Sequence, residues 1–138
     1  MTKKLFVKII GVWLILTFLA VLNGSARNFL YGPKMSNLLA HQISTLIFVA
    51  VILIASYVFI KRQGDLSKKT LILIGSIWVL FTEIFEFLAG HYLFGNSWEK
   101  LFADYNIFQG RIWVLVLVTT FFAPYLVGLF LRKNKLFQ

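Results

Sequence analysis

Four long runs of apolar residues dominate the chain, and short polar segments separate them. The runs cover residues 5–22, 38–60, 70–88 and 112–131. Each run approaches the roughly 20 residues that an α-helix, rising about 1.5 Å per residue, needs to cross the hydrocarbon of a bilayer. With their polar ends included, they predict helices at about residues 5–26, 37–61, 69–92 and 110–132.

This pattern predicts an all-α fold, an antiparallel four-helix transmembrane bundle. The chain shows no internal repeat and no low-complexity linker, so residues 1–138 are predicted to form a single transmembrane domain.

The composition supports a membrane protein and excludes several other classes. Hydrophobic residues make up 59% of the chain and charged residues only 14%, whereas a soluble domain carries roughly 25% charged residues. The 15 Phe, 5 Tyr and 4 Trp are the opposite of the aromatic-poor signature of disorder. The absence of cysteine excludes disulfides, thiolate metal sites, iron–sulfur clusters and cysteine nucleophiles.

The net charge of +9 does not indicate nucleic-acid binding, because the basic residues lie at the ends of the apolar runs. Ten of the 14 lysines and arginines fall on one side of the predicted bundle. Basic residues accumulate on the cytoplasmic side of membrane proteins. We therefore expect a multi-pass protein of the cell membrane with both termini in the cytoplasm. The ten residues are Lys3, Lys4, Lys8, Lys61, Arg62, Lys68, Lys69, Arg132, Lys133 and Lys135, and the other four are Arg27, Lys34, Lys100 and Arg111.

The longest segment outside the runs, residues 91–110, contains a second, shorter helical pattern. Asn96 and Glu99 have the spacing of a capping box. Apolar residues follow at helical spacing, which predicts a short external interfacial helix between helices 3 and 4, with its aromatic face toward lipid or the bundle mouth. These apolar residues are Trp98, Leu101, Phe102 and Tyr105.

Two glutamates interrupt the third apolar run, and they are the most informative residues of the chain. A carboxylate at this depth is costly, so Glu83 and Glu86 are expected to face the bundle interior. Their spacing extends a stripe of small and acidic residues along one face of the helix, and large apolar residues on the opposite face suit lipid. The predicted inward stripe is Ser76, Val79, Glu83, Glu86 and Gly90, and the predicted lipid-facing stripe is Trp78, Phe81, Phe85 and Leu88.

The other helices bring polar residues to the same half of the bundle. Thr17, Ala20, Gly24 and Arg27 share a stripe on the first helix, and Asn37, His41, Ser44 and Phe48 share one on the second. The predicted ligand-binding residues are Arg27, His41, Glu83, Glu86 and Arg111, with Asn28, Gln42, His91 and Asp104 nearby. Two arginines could neutralise the two glutamates, and Arg111 could pair with either Asp104 or Glu86.

Three interpretations of this cluster remain open at the sequence level. The favoured one is a non-enzymatic pocket in the outer half of the bundle that binds or translocates a small anionic or amphipathic ligand. The second is a membrane-embedded enzyme acting on a lipid or isoprenoid headgroup, with Glu83 or Glu86 as acid/base. The third is a structural or accessory subunit in which buried ion pairs hold the helices together.

No cofactor is expected. Weaker alternatives are haem held by His41 and His91, and a divalent metal held by these histidines with Glu83 and Glu86. Membrane lipids and a second copy of the chain are the expected partners, beside the small anionic or amphipathic ligand.

The run WVLFTEIFEFLAGHYLFGNSWEKLFADYNIFQGRIW, together with RNFLYGP and LLAHQIS upstream, resembles small uncharacterised prokaryotic four-helix integral membrane proteins. The resemblance covers most of the chain. It implies the four-helix architecture and carries no function.

Overall fold

The computed structural model describes residues 1–136, with side chains up to residue 134, and is all-α. The five α-helices are α1 (Lys3–Ala26), α2 (Asn37–Gln63), α3 (Lys68–Leu88), α4 (Trp98–Ala103) and α5 (Val114–Leu136). A π-helical turn extends α1 over Arg27–Tyr31, and another extends α3 over Ala89–Leu93. Single 3-10 turns lie at Gly32–Lys34 and Ile107–Gln109.

Hydroxyl side chains define where the first four helices begin. The oxygens of Thr2, Ser36, Ser67 and Ser97 each accept a hydrogen bond from a backbone N–H in the first turn that follows. Such caps satisfy donors that have no partner within the helix. The short helix α4 is therefore capped by Ser97, and the prediction that Asn96 caps it is wrong.

Four helices are long and apolar enough to cross a membrane, which confirms the central prediction of the hydropathy pattern. Two side-chain contacts show that α1 and α2 run in opposite directions. Lys8 Nζ lies 2.9 Å from Gln63 Oε1 at one end, and Asn23 Nδ2 lies 2.8 Å from the Ser44 carbonyl oxygen toward the other. The fourth of these helices begins at Val114 rather than at residue 110, because Gly110 adopts a left-handed conformation with φ of 78°.

The core corrects one predicted face of α3. Trp78 was expected to face lipid, but it is fully buried. Its indole N–H donates to the carbonyl oxygen of Ile9 at 3.0 Å, and its ring packs on Phe59. Neighbouring Gly75 allows the backbone of α5 to approach α3 at Phe121, where a Cβ would collide with the carbonyl oxygen. The packed face of α3 is thus set by ring packing and a close helix crossing.

Helix α1 packs less tightly than its neighbours. Only Ile9 and Leu16 of its 24 residues are buried, although α1 is long and strongly apolar. In contrast, α2 contributes a full buried face that includes Ile52 and Phe59. The incomplete packing of α1 leaves space between it and the other helices, and the candidate site occupies that space.

Candidate functional site

A cavity of about 330 Å³ lies between α1, α2, α3 and α5. Its size falls within the roughly 300–1,000 Å³ that is typical of small-molecule sites. Part of the segment between α3 and α5 covers one end of the cavity, and we call residues 94–113 the cap. Polar lining residues include Thr17, Asn23, Arg27, Asn28, His41, Ser44, Thr82, Glu86, Asn96, Asp104 and Thr120.

The structure brings together five of the nine residues selected from the sequence, while the other four lie outside the cavity lining. The lining contains Arg27, Asn28, His41, Glu86 and Asp104. The stripe predicted on the first helix, Thr17 to Arg27, lines the cavity in full, and His41, Ser44 and Phe48 do so on α2. Phe85 also lines the cavity, although its stripe was expected to face lipid.

Of the two predicted partners of Arg111, the structure places Asp104 beside it, and neither glutamate of α3 pairs with an arginine among the described side chains. Among the described side chains, the contacts within 4.0 Å between acidic and basic groups join His41 with Asp104, Arg111 with Asp104, and Arg132 with Asp65. Each carboxylate of the third helix is instead hydrogen-bonded by an aromatic residue. The Tyr105 hydroxyl lies 3.0 Å from both Glu83 Oε1 and Glu86 Oε2, and the Trp113 indole N–H donates to Glu86 Oε2 at 2.8 Å.

The aromatic donors explain how two carboxylates can lie one turn apart without a cation. A phenol and an indole are neutral hydrogen-bond donors to the carboxylate oxygens. They avoid the free-energy cost of removing a second charged group, such as an arginine, from water. Burial, reinforced by the Glu86 and Glu83 carboxylates, raises the pKa of Tyr105 far above its usual range. The phenol therefore keeps its proton and remains a hydrogen-bond donor at any physiological pH.

Asp104 of the cap is the acidic centre of the site. Its Oδ1 lies 3.4 Å from Arg111 Nη1 and 3.6 Å from His41 Nε2. The other ring nitrogen of His41, Nδ1, is buried and has no hydrogen-bond partner among the described residues. The His41 side chain is only 9% exposed, so this cavity-lining residue retains an unused polar atom.

Arg27 is the cation of the cavity lining. It belongs to the π-helical turn after α1, and its Nε donates to Asn28 Oδ1 at 3.2 Å. Within the described residues it has no carboxylate within 4.0 Å. Asp104 contacts His41 and Arg111 rather than Arg27. The positive charge of Arg27 is therefore available to a ligand in the cavity.

The remaining predicted residues hold the cap in place. Gln42 Nε2 donates to the Gly110 carbonyl oxygen at 2.9 Å. His91 Nδ1 lies 2.8 Å from the Asn96 carbonyl oxygen, and its ring stacks on Trp98 at 4.0 Å. Over the described part of the chain, no group of three or more His, Asp or Glu side chains is placed to hold a metal ion.

Sequence reasoning missed the aromatic donors. Tyr105 was assigned only to the apolar face of the short helix, and Trp113 was not considered. Both contain a polar atom on a large ring, and buried Tyr and Trp usually find a hydrogen-bond partner. The unpaired carboxylates on α3 were therefore a signal for such donors, although the partners themselves lie far away in the sequence.

The charged side chains of the lining lie toward one end of the cavity. Arg27, Asn28 and Asp104 lie at the end beside the cap, whereas Leu16, Ile52 and the hydroxyl residues Thr17 and Thr120 lie deeper between the helices. From His41 to Ile52, α2 advances about 16 Å at about 1.5 Å per residue. The cavity therefore extends along about three turns of α2, with its charged side chains toward one end.

Comparison of the chain with protein-family models, with curated proteins and with solved structures finds no match.

Proposed function

We propose that the protein binds a single-chain amphipathic anion in the cavity, with the anionic headgroup at Arg27 and the apolar chain extending toward Leu16 and Ile52. The observation that carries the proposal is that the charged side chains lie at one end of a cavity of about 330 Å³, while the deeper lining is uncharged. Amphipathic anions of this kind include fatty acids and lysophospholipids, which a membrane supplies directly.

The charges of the lining favour an anionic headgroup over a cationic one. Asp104 already interacts with Arg111 and His41, and Glu86 accepts two hydrogen bonds. Arg27 has no acidic partner among the described side chains. A guanidinium binds carboxylate and phosphate oxygens through paired N–H donors. The unpartnered nitrogen of His41 offers a further polar contact to the headgroup.

The orientation in the membrane is part of the same proposal. With ten basic residues at the end of the bundle that holds the termini and four at the cap end, both termini lie in the cytoplasm of the cell. The cavity then lies in the outer half of an antiparallel transmembrane bundle, with the cap on the outer surface.

Equilibrium binding of a defined anion tests this proposal. Protein purified in a neutral glycoside detergent is titrated with dodecanoate and, separately, with dodecyl phosphate, so that carboxylate and phosphate headgroups are distinguished. Removing a hydrogen bond to a charged group costs about 1.5–3 kcal/mol, so Arg27→Gln is expected to weaken binding by roughly ten- to a hundredfold. Dodecyl maltoside provides the uncharged reference.

Lys34→Gln is the matched control, because Lys34 is an exposed residue at the same end of the bundle and does not line the cavity. It removes the same formal charge and is expected to leave affinity close to the wild-type value. Equal losses in both variants would mean that general charge attraction, not the cavity, binds the anion. Absence of binding in the wild type would contradict the proposal.

The second candidate function is a membrane-embedded enzyme acting on a lipid or isoprenoid headgroup. The pair His41 and Asp104 favours it, because a carboxylate beside one ring nitrogen orients a histidine whose other nitrogen is unpartnered. Incubation of reconstituted protein with phosphatidylglycerol, followed by mass spectrometry of the lipids, tests it. Products that form with the wild type and disappear in Asp104→Asn support an enzyme, and an unchanged lipid pool argues against one.

A further inference from the structure

A second recess lies on the membrane-facing side of the bundle, next to the cavity. It is an apolar groove of about 490 Å³ along α1 and α3. All its lining side chains are apolar or aromatic: Trp13, Phe81, Ile84, Phe85, Leu88, Ala89, Tyr92 and Leu93. It contains none of the charged residues of the cavity.

A single layer of side chains separates the groove from the cavity. Phe85 lines both recesses. Trp13, in the groove, donates its indole N–H at 3.2 Å to the hydroxyl of Thr82, which lines the cavity. Trp13 also contacts the edge of Phe85, with ring centroids 6.4 Å apart. We call Trp13, Thr82 and Phe85 the partition.

The partition lies at a weak junction of the bundle. It joins α3 to α1, the helix with only two buried residues. One hydrogen bond to Thr82 and two aromatic contacts, with Phe81 and Phe85, hold Trp13 in place. Opening the partition would require the side chains of Trp13 and Phe85 to move, with no change in the helix backbone. Trp13, Thr82 and Phe85 are only half-buried, whereas the polar cap is fixed by bonds from Gln42, His91 and Tyr105.

We propose that the groove is the entry site for the apolar chain of an amphiphile dissolved in the membrane, and that the ligand passes the partition to reach the cavity. This inference rests on the proposed function. Because Phe85 lines both recesses, a chain in the groove lies against the wall of the cavity, and we take the occupant to be the chain of that ligand. A purely apolar groove accepts a chain and excludes the headgroup, which enters last and comes to rest at Arg27.

The test uses the full chain in phosphatidylcholine vesicles and a photoreactive fatty acid with a diazirine at the end of its chain. The probe is added, the sample is flashed after increasing delays, and labelled peptides are identified by mass spectrometry. Label on the groove side of α3 is expected before label on cavity residues of α2, such as Phe48.

Ile84→Trp fills the groove without altering the cavity lining, since Ile84 lines only the groove. Cavity labelling is expected to become about tenfold slower, equivalent to a barrier about 1.4 kcal/mol higher, while its final extent is retained. Leu80→Trp is the control. It lies on the same helix, is 58% exposed and lines neither recess, so it should leave the rate unchanged. Phe85→Ala, which thins the partition, is expected to accelerate labelling.

The outcomes separate this inference from the proposed function. Cavity labelling at the wild-type rate in Ile84→Trp would overturn the entry site and leave cavity binding intact. Absence of cavity label in the wild type would overturn both. A change from dimer to monomer in Ile84→Trp, measured by single-molecule photobleaching, would show that a second copy covers the groove and would also overturn the entry site.

Discussion

At the scale of single residues, the carboxylates of α3 show how a membrane helix accommodates acidic side chains without a basic partner. Tyr105 bridges Glu83 and Glu86, and Trp113 adds a second donor to Glu86. Both bonds to Glu86 end on the same oxygen, Oε2. A side chain with a single acceptor oxygen at the position of Oε2 could therefore accept both hydrogen bonds, and the second carboxylate oxygen is not needed to hold Trp113.

Glu86→Gln is expected to preserve stability, because the amide oxygen can accept both bonds at the same position. Glu86→Leu leaves the Trp113 N–H without an acceptor, while the Tyr105 hydroxyl can still donate a hydrogen bond to Glu83. An unsatisfied buried donor costs about 1–3 kcal/mol, and the leucine variant should lose that much. Thermal unfolding in detergent measures both variants. Equal destabilisation by glutamine and leucine would show that the charge of Glu86 holds the bundle together.

At the scale of helices, periodicity predicted the elements well and their faces less well. The four long helices follow from hydropathy, and the predicted stripe on α1 lines the cavity, as does the stripe on α2 except for Asn37. On α3 the predicted lipid-facing stripe includes Trp78, which lies in the core. Hydropathy cannot separate an indole that faces lipid from one that donates to a carbonyl across a helix interface. That choice depends on Ile9, which belongs to a distant helix.

The close crossing of α3 and α5 is the strongest packing constraint on a helix face. At Gly75 an added Cβ would collide with the backbone carbonyl of Phe121, which cannot move as a side-chain end can. Gly75→Ala is therefore expected to destabilise the bundle by roughly 1–3 kcal/mol.

Gly11→Ala is the control for that substitution, because a Cβ at Gly11 of α1 meets nothing within 4 Å. Alanine favours a helix over glycine by up to about 1 kcal/mol, so this variant should be as stable as the wild type or more stable. Thermal unfolding of both variants in the same detergent is the measurement. A Gly75→Ala variant as stable as Gly11→Ala would contradict the described crossing.

At the scale of the whole molecule, the sequence predicted that polar groups meet at one end of the bundle, but it left open whether Arg111 pairs with Asp104 or with Glu86. Depth along each helix follows from residue number, so Arg27, His41, Glu86 and Asp104 could be placed at similar depths. Pairing depends on the fold of the cap. Gln42 and His91 bond to its backbone, and its Asp104 lies beside Arg111, which leaves Glu86 to the aromatic donors.

The proposed orientation predicts the outcome of thiol labelling, for which the cysteine-free chain is well suited. Cysteines replace Asn134 near the end of α5 and Glu99 on α4, both exposed. In intact cells, a membrane-impermeant maleimide should label Glu99→Cys and leave Asn134→Cys unlabelled until the cells are broken. Labelling of Asn134→Cys alone in intact cells would reverse the orientation.

The central claim, that the cavity holds an amphipathic anion, is tested most directly by mass spectrometry of lipids that remain with the protein after purification in mild detergent. Ala20→Phe fills the cavity, and Leu22→Phe adds a ring on the same helix outside the cavity lining. If the cavity binds this ligand, an acidic single-chain lipid is expected to co-purify with the wild type and with Leu22→Phe, and to be lost from Ala20→Phe. Equal lipid in all three proteins, or none in the wild type, would contradict it.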